Sequence, residues 1–248
     1  AAAVTNLPAN AKFDYQIGGP YTPASDVKVV SRDNTASPVA GLYNICYINA
    51  FQTQPDAESF WKGIHDSLLL RTKAGGYFED SDWPGEFFLD TSTEAKRTEL
   101  ATIVNGWIDA CASKGFQAIE PDNLDTYTRS NNLLTQDNNL AFAKLFTDYA
   151  HSKGLAVAQK NTGDIGSAGK STAGFDFAIA EECQAWNECD TYTDVYGDKV
   201  VEVEYTDNDD AQSVYETACK NQGSSISVVF RDRNVVGSSA KAYHYEEC

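Results

Sequence analysis

Two apolar segments of this 248-residue sequence end in carboxylates. The first ends Glu120-Pro121-Asp122, and because side chains in a strand alternate between faces, Glu120 and Asp122 lie on the same face. The second ends Glu181-Glu182, so these two neighbours point to opposite faces, and only one can enter a given site. We favour Glu181 as that residue.

Carboxylates from two different strands can cleave a glycosidic bond. One carboxyl protonates the leaving oxygen, and the other attacks the anomeric carbon or activates a water molecule. Asp122 and Glu181 are the pair that we assign to this chemistry. The structural alternative is that they form salt bridges that close the mouth of the fold, with Lys160 and Arg231 as partners.

Other reaction types lack the residues they need. The three histidines, His65, His151 and His244, do not follow any predicted strand, which argues against a Ser-His-Asp triad or a histidine metal site. No Gly-x-Gly-x-x-Gly motif follows the first strand, and the acidic stretch 207–210 lacks EF-hand spacing. We therefore expect neither a cofactor nor a metal.

Strand and helix patterns alternate along the chain. Eight short segments are apolar and β-prone: 13–17, 43–51, 86–90, 118–122, 155–159, 175–181, 200–205 and 226–230. Helical periodicity over 100–111 follows Thr91-x-x-Glu94, which resembles a capping box, and a second helical stretch ends before Gly154; the segments 58–70 and 211–220 are weaker helices. This order predicts a single-domain (β/α)8 TIM barrel over 1–248, with its active site at the carboxyl ends of the strands.

The six cysteines include no Cys-x-x-Cys pair, which favours three disulfides over a zinc or redox motif. Cys183 with Cys189 would close a short loop and Cys219 with Cys248 would hold the C-terminus, leaving Cys46 with Cys111, although six cysteines allow 15 pairings. We interpret the opening Ala-Ala-Ala-Val as the start of a mature chain whose signal peptide has been removed. These features predict a secreted, extracellular protein.

The charge balance is strongly acidic, with 19 basic and 36 acidic side chains and a formal net charge of −17. Such a surface repels nucleic acid and anionic membranes and attracts a polycation, although acidity is also a common route to solubility. No apolar run approaches the roughly 20 residues of a membrane span. We expect no nucleic-acid or membrane partner, and nothing indicates a stable oligomer, so a monomer is expected.

Several short motifs occur in a characteristic order along the chain. They are Tyr15-Gln16, Cys46 through Pro55, Leu89-Asp90, Gly115-Phe116 through Asn123, Lys160-Asn161, Phe177 through Cys183, and Glu204-Tyr205. With these motifs, over nearly the whole chain, the sequence resembles glycoside hydrolase family 114, the secreted endo-α-1,4-galactosaminidases. Gln117 and Ala118 depart from the more acidic or glycine-containing stretch that we would expect there.

The resemblance implies a TIM barrel that hydrolyses partly deacetylated galactosamine polymers with retention of configuration. It implies Asp122 as the nucleophile and Glu181 as the acid/base. Strand-end residues would bind the polymer: Tyr15, Tyr47, Asp90, Glu120, Asn123, Lys160, Glu204, Tyr205 and Arg231. We leave Asp14, Asp90 and Glu204 open as partners of the substrate amines.

Two other functions are compatible with the sequence. One is a barrel that binds the polymer without cutting it, which the presence of both carboxylates disfavours. The other is a hydrolase of a neutral polysaccharide, which a weak salt dependence would favour.

Overall fold

A nine-stranded sheet in chain order forms the centre of the computed structural model, which describes residues 3–248. The strands are β1 (Phe13–Gln16), β2 (Val29–Asp33), β3 (Tyr43–Asn49), β4 (Ala118–Asp122), β5 (Ala156–Lys160), β6 (Phe177–Glu181), β7 (Val200–Tyr205), β8 (Ser227–Arg231) and β9 (Tyr245–Glu247). The first eight pair in parallel, each with the next. They form a TIM barrel, as the sequence predicted.

The barrel closes where β1 lies beside β8. Arg231 at the end of β8 donates to the backbone oxygen of Tyr15 in β1. The short strand β9 runs antiparallel to β8, and its Glu247 accepts a hydrogen bond from the backbone of Phe13. Side-chain hydrogen bonds from β8 and from β9 to β1 therefore close the barrel.

Alternation along the strands separates two apolar layers. Phe13, Ile45, Ile179 and Val203 belong to a cluster that fills the barrel, together with small residues such as Ala118. The intervening strand residues pack against the helices in a second cluster. This two-layer burial is what the alternation of a barrel strand requires.

In the described part of the chain, five α-helices accompany the strands: α1 (Glu58–Ile64), α2 (Glu94–Lys114), α3 (Gln136–Ser152), α4 (Asp190–Tyr196) and α5 (Ala211–Gln222). Within residues 3–248, the connections after β1 and β2 contain no helix. The capping prediction was displaced by two residues, because Thr93, and not Thr91, accepts the hydrogen bond from the backbone N–H of Lys96. Gly154 follows α3 with a positive φ of 80°, as predicted for a C-terminal glycine.

One predicted strand was wrong, and the barrel strand β2 and the short strand β9 were missed. Within 86–90, Phe87, Phe88 and Leu89 form isolated antiparallel bridges to other residues of the connection between β3 and α2. We call this connection, residues 50–93, the flap; residues 86–90 belong to it and not to the barrel. The second barrel strand is instead Val29–Asp33. Its second half, Ser31-Arg32-Asp33, is polar, so the segment does not form an apolar run. In this strand Ser31 is fully buried and points to a polar partner inside the barrel.

Three disulfides join Cys46 to Cys111, Cys183 to Cys189, and Cys219 to Cys248, the three pairings predicted. The first ties β3 to α2, the second follows β6 directly, and the third anchors the C-terminal residue to α5. Of the helices formed by residues 3–248, none has the length and apolar character needed to cross a bilayer.

A buried pair of carboxyl groups lies on the face of β7 that packs against the helices. Glu202 and Glu204 are 0% and 1% exposed, and within residues 3–248 the Oε1 atom of each has no hydrogen-bond partner. Glu204 Oε2 accepts from the backbone N–H of Gln184, 3.1 Å away. Burial, followed by the contact with Glu204, raises the pKa of Glu202 to about 10. At neutral pH the pair therefore holds a proton.

We expect the protein to lose stability as pH rises, because the fold binds a proton that unfolded Glu202, with a pKa near 4.5, releases. The decline extends from the unfolded pKa to the folded one and reaches at most about 1.4 kcal/mol per pH unit. Urea unfolding between about pH 6 and pH 9 would measure it, and Glu202→Gln should flatten the curve. The exposed Glu216 on α5 provides the matched control, Glu216→Gln, which should leave the slope unchanged.

Candidate active site

A buried ion pair inside the barrel supports the site. The Lys160 ammonium at the end of β5 lies 2.7 Å from Glu120 Oε2, and the two side chains are 2% and 0% exposed. Glu120 also accepts hydrogen bonds from the hydroxyls of Tyr15 and, at 2.7 Å, Ser31. Burial raises the pKa of Glu120, and Lys160 and Tyr15 oppose that shift.

Above this pair, two further carboxylates approach the same ammonium. Lys160 Nζ lies 3.6 Å from Asp122 Oδ1 and 3.5 Å from Glu181 Oε1. The side chains of Asp122 and Glu181 are 22% and 27% exposed, so both reach solvent, whereas the lysine does not. β4 and β6 thus deliver one accessible carboxylate each to a common point.

Separate donors fix the orientation of each accessible carboxylate. Tyr47 donates to Asp122 Oδ2 at 2.6 Å, and the backbone N–H of Asn123 donates to Oδ1 at 2.8 Å. Tyr205 donates to Glu181 Oε2, and Asn161 Nδ2 donates to Oε1 at 2.9 Å. Asn161 and Asn123 both have positive φ, a conformation that asparagine tolerates better than most residues.

Lys160 and the carboxylates around it shift one another's pKa values. Burial alone would lower the pKa of Lys160, but the carboxylates of Asp122, Glu120 and Glu181 outweigh it and raise that pKa well above its usual range. Burial likewise opposes ionisation of Glu181, yet Lys160, Tyr205 and Asn161 together lower its pKa below the usual value. Glu181 is therefore a carboxylate at neutral pH.

Asp122 and Glu181 line a cleft of about 670 Å³ at the carboxyl ends of the strands. Its charged lining comprises the acidic residues Asp33, Asp80, Asp82, Glu86, Asp122, Asp125, Glu181 and Glu182, and the basic residues Arg129, Lys160 and Arg233. Eight acidic side chains against three basic ones make the cleft an attractive environment for cations.

Glu182 lies beside Glu181 but is held differently. It adopts a positive φ of 64°, and its carboxylate binds Arg233 and accepts from Trp186 Nε1 at 3.0 Å. It therefore reaches the rim of the cleft while Glu181 reaches Lys160. The geometry favours Glu181 over Glu182 as the partner of Asp122.

The structure brings most of the predicted site residues together. Asp122, Glu181, Tyr47, Asn123, Lys160 and Tyr205 line the cleft. Tyr15 and Glu120 are fully buried beneath it and contact Lys160, so they support the site from below.

Three predicted substrate-binding residues lie elsewhere. Asp90 belongs to the flap and forms an ion pair with Lys96 at 2.7 Å, outside the cleft. Glu204 neighbours Tyr205 in β7, and because Tyr205 faces the cleft, Glu204 faces the helices. Arg231 is fully buried and binds Asp14 at 3.2 Å in the barrel closure. The proposed amine partners Asp14, Asp90 and Glu204 are therefore all absent from the cleft lining.

Sequence reasoning missed the acidic wall that the flap contributes. Asp80, Asp82, Trp83 and Glu86 all line the cleft and lie between β3 and α2. The turn-forming run Trp83-Pro84-Gly85-Glu86 was an available signal for a loop in place of a strand start.

One group of side chains outside the cleft lies close enough together to share a metal ion, within the part of the chain that is described. It consists of Cys183, Cys189 and Glu202. The two cysteines are joined in a disulfide, so they offer no thiolate ligand, and these residues do not fit a metal site.

A TIM barrel that presents carboxylates from two strands in one open cleft is typical of glycoside hydrolases. The chain belongs to glycoside hydrolase family 114, whose family model matches residues 1–248. It is therefore a glycoside hydrolase.

Solved structures share the fold. Ega3 of Aspergillus fumigatus, in complex with galactosamine, is 24% identical with a TM-score of 0.76, and the match covers 100% of both chains. The glycoside hydrolase domain of PelA from Pseudomonas aeruginosa is 11% identical with a TM-score of 0.61, covering 92% of this chain and 96% of that one. An α-galactosidase of Thermus thermophilus is 12% identical with a TM-score of 0.50, covering 87% and 57%. No curated protein sequence matches the chain.

Proposed function

We propose that this protein is an endo-acting hydrolase of α-1,4-linked galactosamine-containing polysaccharide, such as partly deacetylated galactosaminogalactan. The observation that carries the proposal is the pair of accessible carboxylates around Lys160 in a cleft with an excess of acidic side chains. An amino sugar without its acetyl group is a cation near neutral pH, so such a cleft attracts it. The similarity to Ega3, whose structure contains galactosamine, supports the same substrate class.

In the proposed mechanism Asp122 attacks the anomeric carbon while Glu181 protonates the leaving oxygen. Water then hydrolyses the glycosyl-enzyme, with Glu181 acting as the base. The two distances to Lys160 limit the separation of the nearer oxygens to about 7 Å, which is compatible with the roughly 5–5.5 Å of a retaining pair. Glu181 must carry a proton in the first step, and its pKa is lowered. We therefore expect the enzyme to be most active at acidic pH.

We infer that the protein acts outside the cell. Its three disulfides suit an oxidising compartment such as the extracellular space.

The test is product release from deacetylated galactosamine polymer, from its N-acetylated form and from a neutral galactan. We expect oligosaccharides from the deacetylated polymer, and a fall in kcat/KM as salt rises from about 0.05 M to 0.5 M, because ions screen the attraction between cleft and polymer. NMR of the first product would identify the anomer. Equal cleavage of the neutral galactan, without salt dependence, would contradict the substrate assignment, and binding without cleavage would favour a binding barrel.

A further inference from the structure

A tight turn in the flap presents two side chains to the cleft. In Trp83-Pro84-Gly85-Glu86 the backbone N–H of Glu86 donates to the carbonyl of Trp83 at 3.1 Å. Gly85 has a φ of +88°, as the third position of a type II turn requires, and proline suits the second position. The turn therefore fixes Trp83 and Glu86 on the same wall.

Glu86 is held by one oxygen and free at the other. Its Oε1 accepts from Asn49 Nδ2 and Gln52 Nε2, both at 2.9 Å. Among residues 3–248, no side chain or backbone group donates to Oε2. A carboxylate that is half-buried, oriented by two amides and open on one side suits a cationic hydrogen-bond donor.

A short chain of hydrogen bonds connects this carboxylate to the proposed nucleophile. Asn49 Oδ1 accepts from Asn123 Nδ2 at 2.7 Å, and the backbone N–H of Asn123 donates to Asp122 Oδ1 at 2.8 Å. Burial raises the pKa of Glu86, the two amides lower it, and the charge of Asp122 raises it again. Glu86 and Asp122 thus line the same cleft and are linked through Asn49 and Asn123.

We propose that Glu86 is the residue that selects a free amine, with Trp83 as the adjacent surface for a sugar ring. This inference rests on the proposed function and specifies which side chain recognises the deacetylated unit. Trp83 is 52% exposed, and an exposed aromatic ring can lie against the apolar face of a sugar. A protonated amine satisfies the free carboxylate oxygen, whereas an acetamide is neutral and leaves that charge unpaired.

The experiment compares wild type with Glu86→Gln on matched oligosaccharides that differ only in acetylation. Glutamine keeps an oxygen for Asn49 and Gln52 and removes the charge. We expect kcat/KM for the deacetylated oligomer to fall by about 10- to 100-fold, with little change for the acetylated one. Trp83→Ala should weaken both substrates alike, raising KM more than it lowers kcat.

The matched control is Asp56→Asn, an exposed carboxylate in the same connection between β3 and α2 that does not line the cleft. It should preserve the ratio of the two kcat/KM values. If Glu86→Gln keeps the wild-type ratio, Glu86 does not select the amine, whatever the activity of the enzyme.

Calorimetric titration with galactosamine and N-acetylgalactosamine separates this inference from the proposed function. We expect wild type to bind galactosamine more tightly and Glu86→Gln to lose that preference. If wild type shows the preference but does not cut the polymer, the proposed reaction fails and the role of Glu86 stands. If wild type binds both sugars equally, the role of Glu86 is overturned.

Discussion

Asp122→Asn and Glu181→Gln should each reduce cleavage of deacetylated galactosamine polymer by at least ~10²-fold. Both substitutions keep the size and the hydrogen-bonding shape of the side chain, so the partners Tyr47 and Tyr205 remain in place. What they remove is the nucleophilic oxygen in one case and the transferable proton in the other. Initial rates of oligosaccharide release measure the loss, and thermal unfolding verifies that the variants fold.

The neighbour Glu182 provides the control for this prediction. Glu182→Gln should lose no more than about tenfold, since its carboxylate binds Arg233 at the rim and does not approach Lys160. Azide separates the two roles, because a small anion can replace a missing nucleophile: Asp122→Ala should regain turnover and yield a glycosyl azide of inverted configuration. A larger loss in Glu182→Gln than in Glu181→Gln would reverse the assignment.

The barrel and the centre of the site could be predicted because their signals are local. An apolar strand that ends in a polar residue identifies a position at the mouth, and Asp122, Glu181, Tyr47 and Lys160, predicted in this way, all line the cleft. The disulfide pairing that we favoured is the one in the structure, although the sequence alone left 15 pairings open. The position of a residue at the mouth needs only the period of a strand and the direction of the chain.

The remaining site residues depend on contacts that a linear pattern does not contain. Glu204 and Tyr205 both end β7, and only packing decides that the tyrosine faces the cleft. Arg231 also ends a strand, yet the connection that follows covers it completely. The strand Val29–Asp33 was not predicted because Ser31 takes the place of an apolar residue inside the barrel, where it donates a hydrogen bond to Glu120. A barrel strand with a buried polar residue can be recognised from the sequence only when the partner of that residue, far away in the chain, is known.

Lys160→Met should lower both stability and activity by large amounts. Methionine fills a similar volume without a charge, so Glu120 would remain fully buried with no cation beside it. Breaking a buried ion pair in this way costs about 3–5 kcal/mol. Urea unfolding measures that loss, and polymer cleavage should fall by at least ~10²-fold because the carboxylates lose the charge that holds them together.

The double variant Lys160→Met/Glu120→Gln distinguishes support of the fold from support of the chemistry. Removing both charges should recover much of the stability, since no unpaired ion is then buried. Activity should remain low, because no cation is then left to hold Asp122 and Glu181 around a common point. Lys160 is also the group that most strongly lowers the pKa of Glu181. In any residual activity the alkaline limb of the pH profile should move upward, as Glu181 keeps its proton to higher pH. Wild-type activity with an unshifted profile would show that Lys160 serves the fold alone.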